Sequence, residues 1–402
     1  MLGLLRRLQH SREELTSSLK QSIVGLSIDY LGLLAGFIIA LNIPLITKVK
    51  WALLAYPGIL TIRGVTNGIL CARLSTSLHL GLINTSFLRN TKYFYCLLAS
   101  LLVFNFISSV ILSCFLTLIG ILIIKISAIE TFQVVLCIVS SMMLSFSITS
   151  PLSFIVASKA YLRSLDPDIL VYPIMSTLSD IIISLFYVEI LRVTYEKNIS
   201  SLILVVIIFS ILVSTIITRF WRERVLKTTI RESFIALLIV SIIASFTGIA
   251  LRSIQEIIGA YKPIYLIYPV IIDSIGDIGS IIGSLSTTRL ALGTLYARIR
   301  DYVGLLPTLI GTWISSLIIF LALPIVPIFM LNYPISNFGK LIRVLLLTNV
   351  TSVPIISFIS YVIAILAYKK GFDPDNFVNP IESSLADTLA SYMLLFSLSL
   401  VG

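Results

Sequence analysis

Charged side chains are scarce in this 402-residue sequence, since Asp, Glu, Lys and Arg together make up 12% of it. Hydrophobic residues make up 57%, and the mean hydropathy is +1.05. A soluble chain of this length would form two or three domains, but so little charge excludes a soluble globular protein. We therefore predict an all-α, polytopic membrane protein that lies in a lipid bilayer.

Histidine and cysteine are also rare, with two and four residues. His10 and His79 lie far apart, and no two cysteines form a CxxC pair, so the usual spacings of zinc ligands are missing. We expect all four cysteines to be small buried residues between helices. They are Cys71, Cys96, Cys114 and Cys137.

A formal net charge of +10 is compatible with a nucleic-acid partner, but the distribution of the charge is not. The basic residues lie mainly between apolar runs and form no single stripe, so we expect no nucleic-acid partner. Their positions are better explained by membrane topology.

The apolar runs can be counted as membrane spans because crossing the hydrocarbon core takes about 20 helical residues. This count predicts eleven spans, approximately at residues 22–46, 53–71, 93–124, 132–158, 170–191, 200–217, 232–254, 265–285, 303–331, 341–368 and 377–401.

The distribution of Lys and Arg sets the expected orientation, because cytoplasmic loops carry the excess. The strongest signal is the loop that contains Arg219, Arg222, Arg224, Lys227 and Arg231. It places the N-terminus in the cytoplasm and, with an odd number of spans, the C-terminus outside a plasma-membrane protein.

Two segments of the chain, 207 residues apart, are nearly the same. Residues 166–187 and 373–394 share ten of 22 aligned positions without a gap. Each begins with Asp-Pro-Asp and has a carboxylate within the following apolar run, Asp180 in the first and Asp387 in the second. An intramembrane charge costs about 2.5 to 3.5 kcal/mol on insertion scales, so two at matched positions indicate a shared function.

A second pair of similar segments lies at residues 56–81 and 268–293. Together with the first pair it predicts two parallel five-helix repeats joined by one linker helix around a central pore. The predicted domains are a cytoplasmic amphipathic lead (1–21), a first repeat (22–192), a linker helix with a basic loop (193–228) and a second repeat (229–402). Pro57 and Pro269 predict broken or kinked helices in spans two and eight.

Both carboxylates are expected near the middle of the membrane. Ten helical residues, about 15 Å, separate them from the starts of their spans. The same helical faces carry hydroxyl groups three and four residues earlier. These are Ser176, Thr177, Ser383 and Ser384. The alternative is that each Asp pairs with an Arg and serves helix packing, and Arg63 and Arg289 are the candidate partners.

The expected ligand is a divalent cation. Two carboxylates balance its charge, and oxygen-only ligation favours Mg²⁺, which is held through retained waters. Asp277 and Asn67 are further candidate ligands. We expect less from Asp29, which has no acidic counterpart, and from Glu382, which points about 140° away from Asp387 on an ideal helix.

These motifs resemble those of the MgtE-type magnesium transporters, and the two-repeat arrangement is similar to solute carrier family 41. The resemblance covers spans two, five, eight and eleven, and Arg73-Leu74-Ser75-Thr76 is its most specific part. It implies that Asp180 and Asp387 hold a hydrated Mg²⁺ between the repeats of a single-chain pseudo-dimer. The family's Gly-Asn pair appears as Gly64 with Asn67 three residues later in the first repeat, and as Gly276-Asp277 in the second.

Three alternatives remain open at this point. The transport could be channel-like or coupled to Na⁺ or H⁺, which the sequence does not distinguish. A membrane phosphoalcohol transferase would also use acids and Mg²⁺, but the Asp-Gly dipeptide that opens its usual motif does not occur. A scaffold without transport would not explain the matched acids, and we therefore do not expect an enzyme or a scaffold.

Overall fold

The computed structural model describes residues 2–163, 167–259, 261–334, 338–370 and 374–401. These residues form helices and connecting turns, and no strand occurs among them. The α-helices are α1 (Leu2–Ile28), α2 (Leu33–Ile46), α3 (Ala52–His79), α4 (Lys92–Ile119), α5 (Ala128–Leu162), α6 (Pro167–Tyr195), α7 (Ile199–Phe220), α8 (Arg224–Ile258), α9 (Lys262–Ala291), α10 (Leu306–Ala322), α11 (Ile325–Leu331), α12 (Phe338–Lys370) and α13 (Pro374–Val401).

The prediction of an all-α, polytopic membrane protein is confirmed. Ten helical segments in the described part of the chain are long and apolar enough to cross a bilayer. Helix α3, predicted as the second span, has 28 residues but is not among the ten, because its second half is rich in polar side chains. Four of the polar side chains in that half are buried, which keeps them from lipid, namely Thr66, Asn67, Ser75 and Ser77.

The first span is interrupted at a position where no break is predicted. A short 3₁₀-helix, Asp29–Gly32, separates α1 from α2. Helices α3 and α9, in contrast, continue through Pro57 and Pro269, so the broken form expected there is not found. A 3₁₀ stretch within a long helix is often found at functional positions.

Local sequence signals account for several helix starts. Helix α5 begins with a capping box, in which the Ser127 side chain accepts from the Glu130 amide and the Glu130 carboxylate accepts from the Ser127 amide. The Thr91 hydroxyl caps α4 in a similar way. These bonds satisfy backbone groups that a helix end leaves without partners.

The chain forms two compact units. One contains residues 1–40 and 250–402, and the other contains residues 41–249. Hence most of the first predicted span belongs to the unit that contains the second repeat. Likewise, most of α8, the first helix of the second repeat, belongs to the unit that contains the first repeat.

In each unit, the first span of one repeat makes a close backbone contact with the second span of the other repeat. In the second-repeat unit, Gly36 of α2 lies against the backbone of Leu266 in α9. In the first-repeat unit, Gly248 of α8 lies against the backbone of Leu54 in α3. Gly36 and Gly248 are 212 positions apart in the sequence, and so are Leu54 and Leu266. The two contacts are therefore equivalent.

Helix α1 packs along α10 in the second-repeat unit. The Ser315 hydroxyl of α10 donates to the carbonyl oxygen of Leu19 at 2.9 Å. Arg289 of α9 forms an ion pair with Glu14 of α1, and the Thr308 hydroxyl donates to the same carboxylate at 2.9 Å. Arg289 thus has its acidic partner in Glu14 of α1.

Serine and threonine pack many of the helices together. Hydroxyls in α5 and α12, such as those of Ser141 and Ser357, donate to the carbonyl four residues earlier and leave compact faces. Cys71, Cys96 and Cys137 are buried as expected. The expectation for Cys114 is wrong, because it is exposed on the apolar outer surface of α4.

Candidate functional site

The first and second repeats position their last helix through the same hydrogen bond. In the first, the hydroxyls of Tyr56 and Ser184 lie 2.9 Å apart and join α3 to α6. In the second, the hydroxyls of Tyr268 and Ser391 lie 2.7 Å apart and join α9 to α13. Both bonds are buried and fix the depth of the carboxylate one helical turn earlier, Asp180 or Asp387.

Asp180 is 2% exposed and forms an ion pair with Arg63 of α3. Arg63 Nη2 donates to the carboxylate, and Nη1 donates to the carbonyl oxygen of Ser176 at 2.9 Å. The guanidinium therefore balances the charge of Asp180 within its own repeat. A buried pair of this kind avoids the large penalty of a single buried charge.

Asp387 has a different surrounding in the second repeat. It is 8% exposed, and the counterpart of Arg63 is Ile275, which is fully buried. The second repeat therefore has an apolar side chain where the first repeat has a cation. The two predicted acidic ligands are matched in sequence but not in local charge.

The candidate ligand Asn67 is buried in the first-repeat unit. Its Oδ1 accepts from the Ser153 hydroxyl at 3.3 Å, while its Nδ2 has no hydrogen-bond partner. Its counterpart in the second repeat is Gly279. The amide is thus a feature of one repeat only.

The four predicted hydroxyl ligands divide by burial. Ser176, Thr177 and Ser383 keep part of their surface exposed, whereas Ser384 is fully buried. The Ser384 hydroxyl donates to the carbonyl oxygen of Ile381 in its own helix at 2.9 Å. Ser384 therefore uses its proton in the helix, although its oxygen can still accept.

Asp277 lies in a group of carboxylates in the second-repeat unit. Its side chain is exposed at the surface of α9, and its carboxyl group is in hydrogen-bonding range of Asp29. Asp29 also accepts from the Ser274 hydroxyl at 2.9 Å, and Asp273 is its other close charged neighbour. The 3₁₀ interruption of the first span places Asp29 in this group.

Glu382 is the second acidic residue that the sequence analysis left out of the site. It is 1% exposed, and neither carboxylate oxygen makes a well-formed hydrogen bond, although the Ser360 hydroxyl lies beside it. Its charged neighbours are Asp277 and Asp387. The carboxylate fills the space beside Gly279, where a Cβ atom would overlap with it.

No three His, Cys, Asp or Glu side chains in the described part of the chain are close enough to bind one metal ion directly. This is compatible with Mg²⁺, which keeps several waters and meets carboxylates through them. Asp180, Asp277 and Asp387 were found from the sequence through charge in apolar runs. The positions of Asp29 and Glu382 depend on tertiary packing, and no local motif marks them.

Two matching helical repeats, each with buried acidic groups on apolar helices, define a multi-pass membrane protein of the transporter class. The sequence model of the MgtE family, described as a divalent cation transporter, matches residues 56–190 and 268–397. This is more than half of the chain, so the chain belongs to the MgtE family of divalent cation transporters. None of the curated proteins and none of the solved structures matches it.

Each matched region contains one member of both pairs of similar segments, 56–81 and 166–187 in the first region and 268–293 and 373–394 in the second. The matched regions cover α3 to α6 and α9 to α13, and each contains one Tyr–Ser bond and one of the carboxylates Asp180 and Asp387. The family consists of divalent cation transporters, and membership implies transport of divalent cations across a membrane. It also places the chain in contact with lipid and with the transported cation.

Proposed function

We propose that this chain carries Mg²⁺ across the plasma membrane as a single-chain pseudo-dimer, in the two-repeat arrangement of solute carrier family 41. The observation that carries the proposal is the matched pair of buried carboxylates, Asp180 and Asp387, in the last helix of each family-matched region. Oxygen ligands of this kind favour hard cations such as Mg²⁺.

The pathway is proposed to run between the two repeats and to be lined by their second and last helices. Asp180 and Asp387 together would hold a hydrated ion, with Asn67, Asp277 and the hydroxyls of the last helices as further ligands. The ion pair with Arg63 reduces the net charge of Asp180, so we propose that Asp387 makes the larger contribution to binding the cation.

The proposed topology has the N-terminus in the cytoplasm and the C-terminus outside. The basic residues around the short connection between α7 and α8 support it. Arg219 at the end of α7, Arg222 in the connection, and Lys227 and Arg231 near the start of α8 are all exposed. One end of the cation pathway would then open on the same side of the membrane as these basic residues.

Flux into liposomes tests the function. The purified chain is reconstituted around a Mg²⁺-sensitive dye, and Asp387→Asn, Arg63→Met/Asp180→Asn and the combination of all three changes are compared with the wild type. Glu189→Gln is the matched control, because Glu189 is an exposed acid on α6. We expect the combined variant to lose Mg²⁺ uptake, and unchanged uptake in it would refute the paired-acid proposal.

The same liposomes separate a channel from a coupled exchanger. Uptake driven by the Mg²⁺ gradient alone indicates a channel. Uptake that depends on an opposing Na⁺ or H⁺ gradient indicates an exchanger, and the family assignment is compatible with either outcome.

A further inference from the structure

The two repeats share their sequence motifs, but the second repeat carries several acidic residues that the first repeat lacks. In the second-repeat unit, Asp273, Asp277, Glu382 and Asp387 occupy positions whose first-repeat counterparts are Thr61, Val65, Met175 and Asp180. Asp29 joins them from the first span. Only one of these acids therefore has an acidic counterpart, and that counterpart is paired with Arg63.

Glu382 is the most unusual member of this group. Its side chain is almost fully buried, and its oxygens make no well-formed hydrogen bond, with the Ser360 hydroxyl as the one neighbouring side-chain group that could donate to it among the described contacts. A buried carboxylate without partners is costly, and neighbouring carboxylates of the same charge increase the cost. A cation among these groups would remove both penalties.

Space for the Glu382 carboxylate is provided by a glycine. A Cβ atom on Gly279 would overlap with Oε1 of Glu382, and the first-repeat counterpart of Gly279 is Asn67. The second repeat thus has a small residue beside the long acid, while the first repeat has Asn67 and Met175 at the two corresponding sequence positions. These complementary differences indicate that the acid is accommodated and is not a random substitution.

Asp277 connects Glu382 to Asp29. It is a close charged neighbour of both, and its side chain is exposed at the surface of α9. Asp29 is oriented by the Ser274 hydroxyl, which donates to its Oδ2. An ion that reaches Asp277 with its waters would therefore meet acids on three elements, namely the 3₁₀ segment, α9 and α13.

We propose that Asp29, Asp277 and Glu382 bind a partly hydrated divalent cation in the second-repeat unit. No set of three such side chains in the described residues is close enough for direct coordination, so the cation keeps waters between itself and at least some of the acids. This inference rests on the proposed function and extends it to Asp29 and Glu382. It makes the two halves of the transporter unequal in their affinity for the ion.

Mg²⁺ binding to the purified full chain tests this site without a transport assay. The affinity is measured by calorimetry and by the rise of the unfolding temperature with added Mg²⁺. We expect Glu382→Gln and Asp29→Asn each to weaken Mg²⁺ binding by roughly 10- to 100-fold, as is typical when a group supporting a metal site is lost. Glu189→Gln serves as the control and keeps the wild-type affinity.

The unfolding temperature without Mg²⁺ shows whether the variants fold. Removing an unpartnered buried acid should leave that temperature unchanged or raise it. If Glu382→Gln does not fold, Glu382→Met introduces the residue found at the corresponding position of the first repeat. It then replaces Glu382→Gln in the binding measurement. An affinity within about twofold of the wild type in a folded Glu382 variant would overturn the site.

The outcome can be told apart from a failure of the proposed function. If Asp387→Asn stops Mg²⁺ flux while the Glu382 and Asp29 variants bind Mg²⁺ normally, the function holds and this site is refuted. If the wild type binds Mg²⁺ through Glu382 but moves none across liposomes, the site holds and the function is refuted. Stabilisation by Na⁺ alone, lost in Glu382→Gln, would overturn the divalent assignment.

Discussion

Arg63 and Asp180, 117 residues apart in the chain, form a buried ion pair in the first repeat, and the residue that corresponds to Arg63 in the second repeat is Ile275. A carboxylate that the sequence presents as one of two equivalent groups is therefore locally neutralised. The matching carboxylate, Asp387, has no arginine at that position. The two repeats therefore differ in the charge that surrounds their matching carboxylates.

Loss of Arg63 is predicted to destabilise the protein. Arg63→Ile, which introduces the second-repeat residue, leaves Asp180 as a single buried charge and should cost about 3 to 5 kcal/mol of unfolding free energy. The measurement is denaturant or thermal unfolding in detergent.

A double-mutant cycle provides the control for this prediction. Arg63→Ile combined with Asp180→Asn removes both charges and should recover much of the loss. Equal stability of Arg63→Ile and the wild type would contradict the ion pair as a stabilising element.

The two equivalent Tyr–Ser bonds should contribute similarly to stability. Tyr56→Phe leaves the Ser184 hydroxyl without its tyrosine partner, and Tyr268→Phe does the same to Ser391. We expect each change to lower the unfolding free energy by about 1 to 3 kcal/mol. Tyr195→Phe, at an exposed tyrosine, is the control and should have little effect. A loss in only one repeat would contradict the equivalence of the two bonds.

Gly36 and Gly248, which lie at the two close helix contacts, should not tolerate replacement by a residue with a side chain. In Gly36→Ala the new Cβ overlaps with the carbonyl oxygen of Leu266, and in Gly248→Ala it overlaps with that of Leu54. Because backbone cannot move aside as a flexible side chain can, we expect both variants to lose most of the folded protein. The yield of monodisperse protein in size-exclusion chromatography measures this.

Gly25→Ala is the matched control for these variants. Gly25 also lies within a helix, and nothing is within 4 Å of the position of an added Cβ. Its yield should equal or exceed that of the wild type, since alanine favours the helix. Normal yields of Gly36→Ala or Gly248→Ala would refute the close helix contact.

Much of the architecture could be predicted because it depends on regular patterns. Apolar runs, two repeated segments and charges in unusual places led to an all-α membrane protein with Asp180 and Asp387 at matched positions. The same patterns gave the MgtE resemblance, which the family match confirms.

The parts that could not be predicted depend on contacts between distant segments. Arg63 was a candidate partner, but the choice between a lined pathway and an ion pair needed the packing of α3 against α6. Glu382 was set aside because an ideal helix turns it away from Asp387. The space beside Gly279, which decides its position, is not visible in the sequence. Asp29 required the 3₁₀ interruption.

The most direct test of an unequal transporter is the initial rate of Mg²⁺ flux in liposomes for Asp387→Asn and for the double variant Arg63→Met/Asp180→Asn. The double variant is used because Asp180→Asn alone would leave the Arg63 guanidinium buried without its acid. We predict that Asp387→Asn reduces the rate by about tenfold or more, while the double variant keeps most of it. A wild-type rate in Asp387→Asn, or an equal loss in the two variants, would contradict the account.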